Sequence, residues 1–401
     1  MNETIEIEGK HTPGFFKKVQ VSVERGKGVY IWDEDGRKYL DFTSGWGVTC
    51  IGHANEVITR ALNEQGKKII QNPNGGLTYS PVRARLLNLL MEILPAGLTR
   101  VFFTNSGAEA NDAAIKLARK ATGRMDVIST HQSFHGRTIG TASATGQAKH
   151  REKFNPLMPN YRFVRYGDLS ELEAALDKNV AAVIIEPVQG EGGVNVPPEN
   201  YLSGAQGLCK RNGSLLILDE IQTGFCRTGP LFVSSAKGIY PDILTMAKGI
   251  AGGFPFGAFA LTEEVNNLLE QGDHGGTYCG NPLGCAVSLA VIEHLLENRI
   301  WENVEKTGQY AIEKLGRLKS EYPGVIKEIR GQGLLLAMEI EDENKAAGIV
   351  HECLAHGLIL NLIQGKCIRI IPALNITKEE MDEGLTILGN VIDSYNKKSG
   401  T

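Results

Sequence analysis

None of these 401 residues falls in an apolar run long enough to cross a bilayer, so a membrane-spanning role is not expected. Lys and Arg number 42 against 46 Asp and Glu, a net charge of −4, and no block of one sign is present to track a phosphate polymer. A nucleic-acid partner is therefore not expected. The seven cysteines (50, 209, 226, 279, 285, 353 and 367) are odd in number and include no C-x-x-C pair, which supports neither a disulfide framework nor a zinc site. Reduced thiols in a cytoplasm fit that pattern. The opening MNETIEIEGKHTPGFF lacks the basic and apolar regions of a secretory signal and is too acidic for a transit peptide, so it reads as mature sequence. Internal repeats and low-complexity linkers are missing too. What is present is an ordinary composition, 42% hydrophobic and 22% charged, at a length that suits one large domain and a smaller one.

Residues 100 to 262 repeat one rhythm, in which short aliphatic or β-branched runs alternate with helical-period segments. The runs are RVFFT (100–104), DVIST (126–130), RFVRY (162–166), AAVIIEP (181–187), LLILDE (215–220), DILTM (242–246) and FGAFAL (256–261). Their near-continuous apolar character predicts a mostly parallel seven-stranded sheet buried on both faces, the α/β arrangement. In contrast, VYIWDEDGRKYLDF (29–42) alternates around a D-E-D-G turn, as a half-exposed hairpin should. A helix over 282–298 leads into a second, α+β portion with strand-like runs at 334–340, 358–363 and 367–374. The last helix is expected to open at Thr377, with Glu380 completing a capping box, and to run to about Lys397.

Ligands of open α/β sheets bind at the carboxyl ends of the strands, and LLILDEIQTG places Asp219 at such an end. A carboxylate there is costly unless a cation meets it, and the pyridinium nitrogen of pyridoxal phosphate is one such cation; an Asx-turn is the alternative. Lys248 follows another apolar strand and precedes a glycine-rich turn, a setting that desolvates an amine and frees it for Schiff-base chemistry, although most lysines are simply exposed. In TNSGAEANDAAIKLARK the first turn after Ser106 offers N–H groups to a phosphate, and Ser106 with Glu109 also reads as a helix cap. Phe134 offers an aromatic face. His131 and His135 lie four apart without the glutamate of a zincin, so no metal is expected.

In order along the chain, WDEDGRKYLDF, GVTCIGH (47–53), TNSGAEAND, SFHGRT, EPVQGEGGV, LDEIQTG, AKGI, GTYCGNP and RIIPAL resemble the class III (subgroup II) pyridoxal-phosphate aminotransferases of the acetylornithine, ornithine and 4-aminobutyrate type, over nearly the whole sequence. The resemblance implies the fold type I architecture of these transferases, with a large domain over 49–294 and a small one formed by 1–48 and 295–401. It implies Lys248 as the Schiff-base lysine, Asp219 as the pyridinium partner and Gln222 on the ring 3-hydroxyl. Phe134 would stack on one ring face and Ile221 would press on the other. Ser106, Gly107 and Ala108 would hold the phosphate, and Thr277 would reach it from the neighbouring subunit of a homodimer with shared sites. Arg137 and Arg369 would grip substrate carboxylates, with Glu191 as a removable partner of Arg369. The implied reaction moves an amino group from an ω-amino or acylated diamino acid to 2-oxoglutarate.

The sequence departs from the family pattern in three places. Cys226 stands where a glycine or another small residue is common, Tyr278-Cys279 stand where Phe-Gly is common, and Trp46 replaces a small aliphatic residue in a loop that lines the substrate pocket of relatives. An indole over that pocket would favour a short donor such as 4-aminobutyrate over a long acylated one. Three rival functions compete with this one: a racemase, epimerase or lyase on the same fold; a nicotinamide-dependent dehydrogenase, suggested by GQGLLL (331–336) but lacking the third fingerprint glycine; and a binding module that has lost its reaction.

Overall fold

The seven runs between residues 98 and 262 pair into one sheet in the order Leu98–Thr104, Gly257–Thr262, Ile243–Met246, Leu215–Asp219, Val180–Ile185, Asp126–Thr130 and Tyr161–Val164. This arrangement comes from a computed structural model that describes residues 2–16, 18–72 and 76–399. Only Gly257–Thr262 runs against its neighbours in the sheet, antiparallel to both Leu98–Thr104 and Ile243–Met246. Every residue of Val180–Ile185 and Ile243–Met246 is buried, as expected for strands covered by helices on both faces. Helix Gly107–Thr122 lies across this sheet on a face of small residues (Ala110, Ala113, Ala114 and Ala118) and ends at Gly123, whose φ of 66° closes it in the left-handed region.

The N-terminal hairpin forms as expected. Tyr30–Asp33 pairs antiparallel with Lys38–Asp41, and Leu358–Ile359 adds to it in parallel, so the chain's first and last parts share a sheet. A third, antiparallel sheet has the order Ile326–Gln332, Leu335–Ile340, Cys367–Ile370 and Asn361–Ile363. The run at 358–363 is therefore two strands in two sheets, divided at Leu360. GQGLLL proves to be the turn of a hairpin, with Gly331 and Gly333 at positive φ, and not a phosphate loop. The final helix spans Lys378–Ser399; Thr377 N–H donates to Glu380 (2.8 Å) and Glu380 N–H donates to the Thr377 hydroxyl (3.1 Å), the reciprocal cap read from the sequence. All seven cysteines are buried and free. Among the described residues, no helix is long and apolar enough to cross a membrane.

Candidate active site

Three strand ends and one helix start converge on a cavity of about 470 Å³. Its lining includes Ser106, Gly107, Ala108, Phe134, Arg137, Glu191, Asp219, Ile221, Gln222 and Lys248, so ten of the expected site residues meet in one place. Arg369 lies just behind the lining, and Trp46 and Thr277 lie outside it.

Strand alternation separates the acidic pair at 219 and 220. Asp219 faces the cavity, while the fully buried Glu220 turns the other way and accepts from the N–H groups of Val233 and Ser234 at the start of helix Val233–Lys237. Burial pushes the Glu220 carboxyl up and those hydrogen bonds pull it down, with burial prevailing. Asp219 fulfils both of its sequence readings. Its Oδ1 accepts from Ile221 N–H (3.1 Å), the Asx-turn, and its Oδ2 accepts from Asn111 Nδ2 (2.7 Å) and His135 Nδ1 (2.7 Å). Thr245 and Ser129 fix Asn111 and His135 in turn, at 2.7 Å and 3.3 Å. Neither Asn111 nor His135 stands out in the sequence as a partner of Asp219. The one available signal was the proximity of His135 to Phe134.

Lys248 leaves the Ile243–Met246 strand with φ 47°, a conformation that costs a non-glycine residue about 1–2 kcal/mol. Burial lowers the pKa of its amine, and the attraction of Glu191 only partly offsets this. At the helix start, the Ser106 hydroxyl accepts from Glu109 N–H (3.2 Å), while Glu109 reaches Asn105 N–H (2.7 Å) rather than closing the box on Ser106. The first-turn N–H groups of the helix thus sit at the cavity wall, where an anion is stabilised. A Cβ at Gly107 would come within 2.7 Å of Ile221, so a glycine is what lets Ile221 lie over the slot facing Phe134. A buried acid, a desolvated amine, an anion cradle and an apolar slot are the four features that a phosphorylated pyridine aldehyde requires, and the residues fit it.

On the substrate side, Arg369 is fully buried. Its Nη1 donates to Glu191 (2.5 Å) and Gln222 (3.3 Å), and its Nη2 donates to Asn361 (2.7 Å), which the division at Leu360 places directly opposite it. Burial raises the pKa of the Glu191 carboxyl, but the charges of Arg369 and Lys248 outweigh this and hold it below the usual range. Arg137 is exposed at the cavity mouth, with its guanidinium near the rings of Phe16 (5.5 Å) and Phe134 (5.8 Å). Trp46 sits in a left-handed kink (φ 62°), is 50% exposed, and does not overhang the cavity as expected. The kink turns the indole outward while Val48 supplies the wall. Cys226 is buried at φ 69°, which explains why a glycine is common at that position.

Residues 16–392 match the profile described as aminotransferase class-III. The chain is 44% identical over 392 residues to the acetylornithine aminotransferase of Methanothermobacter thermautotrophicus, covering 97% of this chain and 98% of that one. It is 39% identical to the [LysW]-aminoadipate semialdehyde transaminase of Deinococcus radiodurans, over 98% and 91% of the two chains. The ornithine aminotransferase of Toxoplasma gondii, a structure with partial occupancy of PLP at its active site, superposes with a TM-score of 0.94 at 32% identity, over 99% of this chain and 96% of that one.

Proposed function

We infer, from the premise that this chain belongs to the class-III aminotransferase family and is a pyridoxal-phosphate-dependent enzyme of fold type I, how its residues divide the work. Bound in the cavity, the cofactor supplies the electron sink for amino-group transfer. Lys248 would hold it covalently, and its amine, freed by desolvation, would move the proton at the amine-bearing carbon. Asp219, its carboxylate fixed by Asn111 and His135, would keep the ring nitrogen protonated. Ser106, Gly107 and Ala108 would take the phosphate, Phe134 and Ile221 would clamp the ring, and Gln222 would meet the 3-hydroxyl.

The observation that carries the substrate reading is the Glu191–Arg369 ion pair at the cavity wall. While paired, Arg369 is masked. A donor then places its carboxylate on Arg137 and its distal amine at the reacting centre, which suits a donor of the acetylornithine or ornithine type, the kind its relatives are named for. When 2-oxoglutarate enters, Glu191 swings out, Arg369 takes the carboxylate beside the keto group, and Arg137 takes the distal one. Glu191→Ala should unmask Arg369 permanently. We expect it to slow the half-reaction of the ω-amine relative to that of glutamate by about 1–3 kcal/mol. Single-turnover rates with both donors measure this, and an equal effect on the two would remove the switch.

The active unit is read as a homodimer. Thr277 is exposed outside its own cavity, on a surface with Leu77 and Tyr79 standing 80% and 100% free, as a residue that completes a partner's phosphate site would be. Small and large domains divided at 48/49 and 294/295, and a cytoplasmic location, complete the reading.

A further inference from the structure

Glu186 has no part in the division of work above, yet it lines the same cavity and is only 5% exposed. It follows the Val180–Ile185 strand, which pairs in parallel with Leu215–Asp219 so that Ile185 faces Leu218. One residue further on, Glu186 and Asp219 therefore stand side by side at adjacent strand ends. The two oxygens of Glu186 go to different walls. Oε1 accepts from Phe134 N–H (2.9 Å), the residue that closes the ring slot, and Oε2 accepts from Gly190 N–H (3.2 Å), the residue before Glu191. The turn that follows is strained, since the β-branched Val194 is held at φ 55°. Other side chains also hold this turn: Gln364 to Glu191 O (2.6 Å) and Arg330 to Gly193 O (2.8 Å) from the C-terminal part of the chain, Gln189 to Thr130 (3.0 Å) and His131 O (2.8 Å) at a strand end of the large sheet, and Gln222 to Glu191 (3.5 Å); the bond of Glu186 to Gly190 N–H is the one that holds the backbone directly before Glu191 from the large sheet.

We propose that Glu186 is a positioning residue whose ionised carboxylate tethers the Glu191 turn in the place that masks Arg369, and whose protonation releases it. The ionised carboxylate accepts strongly on both oxygens, whereas the protonated acid keeps one good acceptor and one poor one. Adding a proton turns one oxygen into a donor facing an N–H donor, and the longer bond, to Gly190, is the one to go. The backbone beside Glu191 then loses its hold from Glu186 while Gln189 keeps the base of the turn in place, and Arg369 opens to a dicarboxylate. The groups facing Glu186 make that proton accessible near neutrality. Burial pushes its carboxyl up to about 7, the Asp219 charge pushes the same way, and His135 pulls against them. Lys248 and the half-buried Tyr166 also face it, the latter donating to the Glu186 backbone oxygen (2.9 Å). The sign follows from these groups: the tether is present above that value and lost below it, and a pyridinium beside Asp219 moves the change downward.

This inference rests on the reading of Arg369 and Arg137 as the carboxylate sites, and calorimetric binding of glutarate to the cofactor-loaded protein, from about pH 5.5 to about 8.5, separates the two. Other titratable groups of the site alter anion affinity in every variant, so the informative quantity is the ratio of wild type to Glu186→Gln. The amide mimics the protonated acid, so the variant should bind glutarate about three- to tenfold more tightly than wild type at high pH and equally at low pH, as the loss of one hydrogen bond implies. Glu186→Asp keeps the charge but is too short to reach both walls, and it should match the glutamine variant at high pH; it serves if that variant does not fold. A ratio constant across the range, or an aspartate variant as weak as wild type, would overturn the tether. Wild-type protein that binds glutarate no more tightly than butyrate would overturn the carboxylate reading instead.

Discussion

Lys248 combines an unfavourable backbone conformation with a desolvated amine, two costs that a purely structural lysine would not retain. Lys248→Ala should therefore leave the fold intact, within about 1 kcal/mol of wild type, while abolishing turnover and the visible absorbance of the bound cofactor. A variant that keeps that absorbance and normal turnover would show that another residue anchors the cofactor. Lys248 and Asp219 were legible because each directly follows or ends an apolar run, where a charge stands out. Asn111, His135 and Glu186 were not. Asn111 is one polar position on a helix whose other buried residues are largely alanine, and Glu186 reads as the end of a strand. Their meaning lies in the 2.7 Å contacts of Asn111 and His135 with Asp219 and in the register that sets Glu186 beside it, none of which leaves a local periodic signal.

Among the elements, the start of helix Gly107–Thr122 has the least room for change. Gly107→Ala would favour the helix slightly but drive Ile221 towards the ring slot, because the added Cβ would lie 2.7 Å from its Cδ1 and 3.0 Å from its Cγ2. The expected result is a folded protein whose affinity for pyridoxal phosphate is weaker by about 1–3 kcal/mol, read from cofactor titration of the stripped enzyme. Unchanged affinity would mean that Ile221 does not bear on the ring. Strand existence was legible from continuous apolar runs, but strand direction was not. Gly257–Thr262 is as apolar as its neighbours yet runs the other way, and burial on both faces leaves the same composition in either direction. The division of 358–363 at Leu360 was also hidden, since both halves are apolar; it sets Asn361 opposite Arg369.

For the molecule as a whole, the hairpin at the start of the chain shares a sheet with Leu358–Ile359, so the first and last segments must come together for the small sheet to form. The alternation at 29–42 carries the hairpin alone; its pairing with Leu358–Ile359 left no signal, because two residues carry no periodicity. The exposed surface around Thr277 belongs to the same scale. Thr277→Ala should loosen cofactor retention without lowering the unfolding temperature appreciably, and sedimentation of the wild type should show a dimer; a fully active monomer would contradict the shared site. The central claim is that the enzyme moves an amino group from a distal amine to a keto acid, and the most direct test is glutamate formation by the purified protein from 2-oxoglutarate with N-acetylornithine or ornithine as donor. The account predicts that glutamate appears in step with loss of the donor amine and that donor turnover stops when the keto acid is withheld. Sustained turnover without any acceptor, with inversion or elimination of the donor, would contradict it.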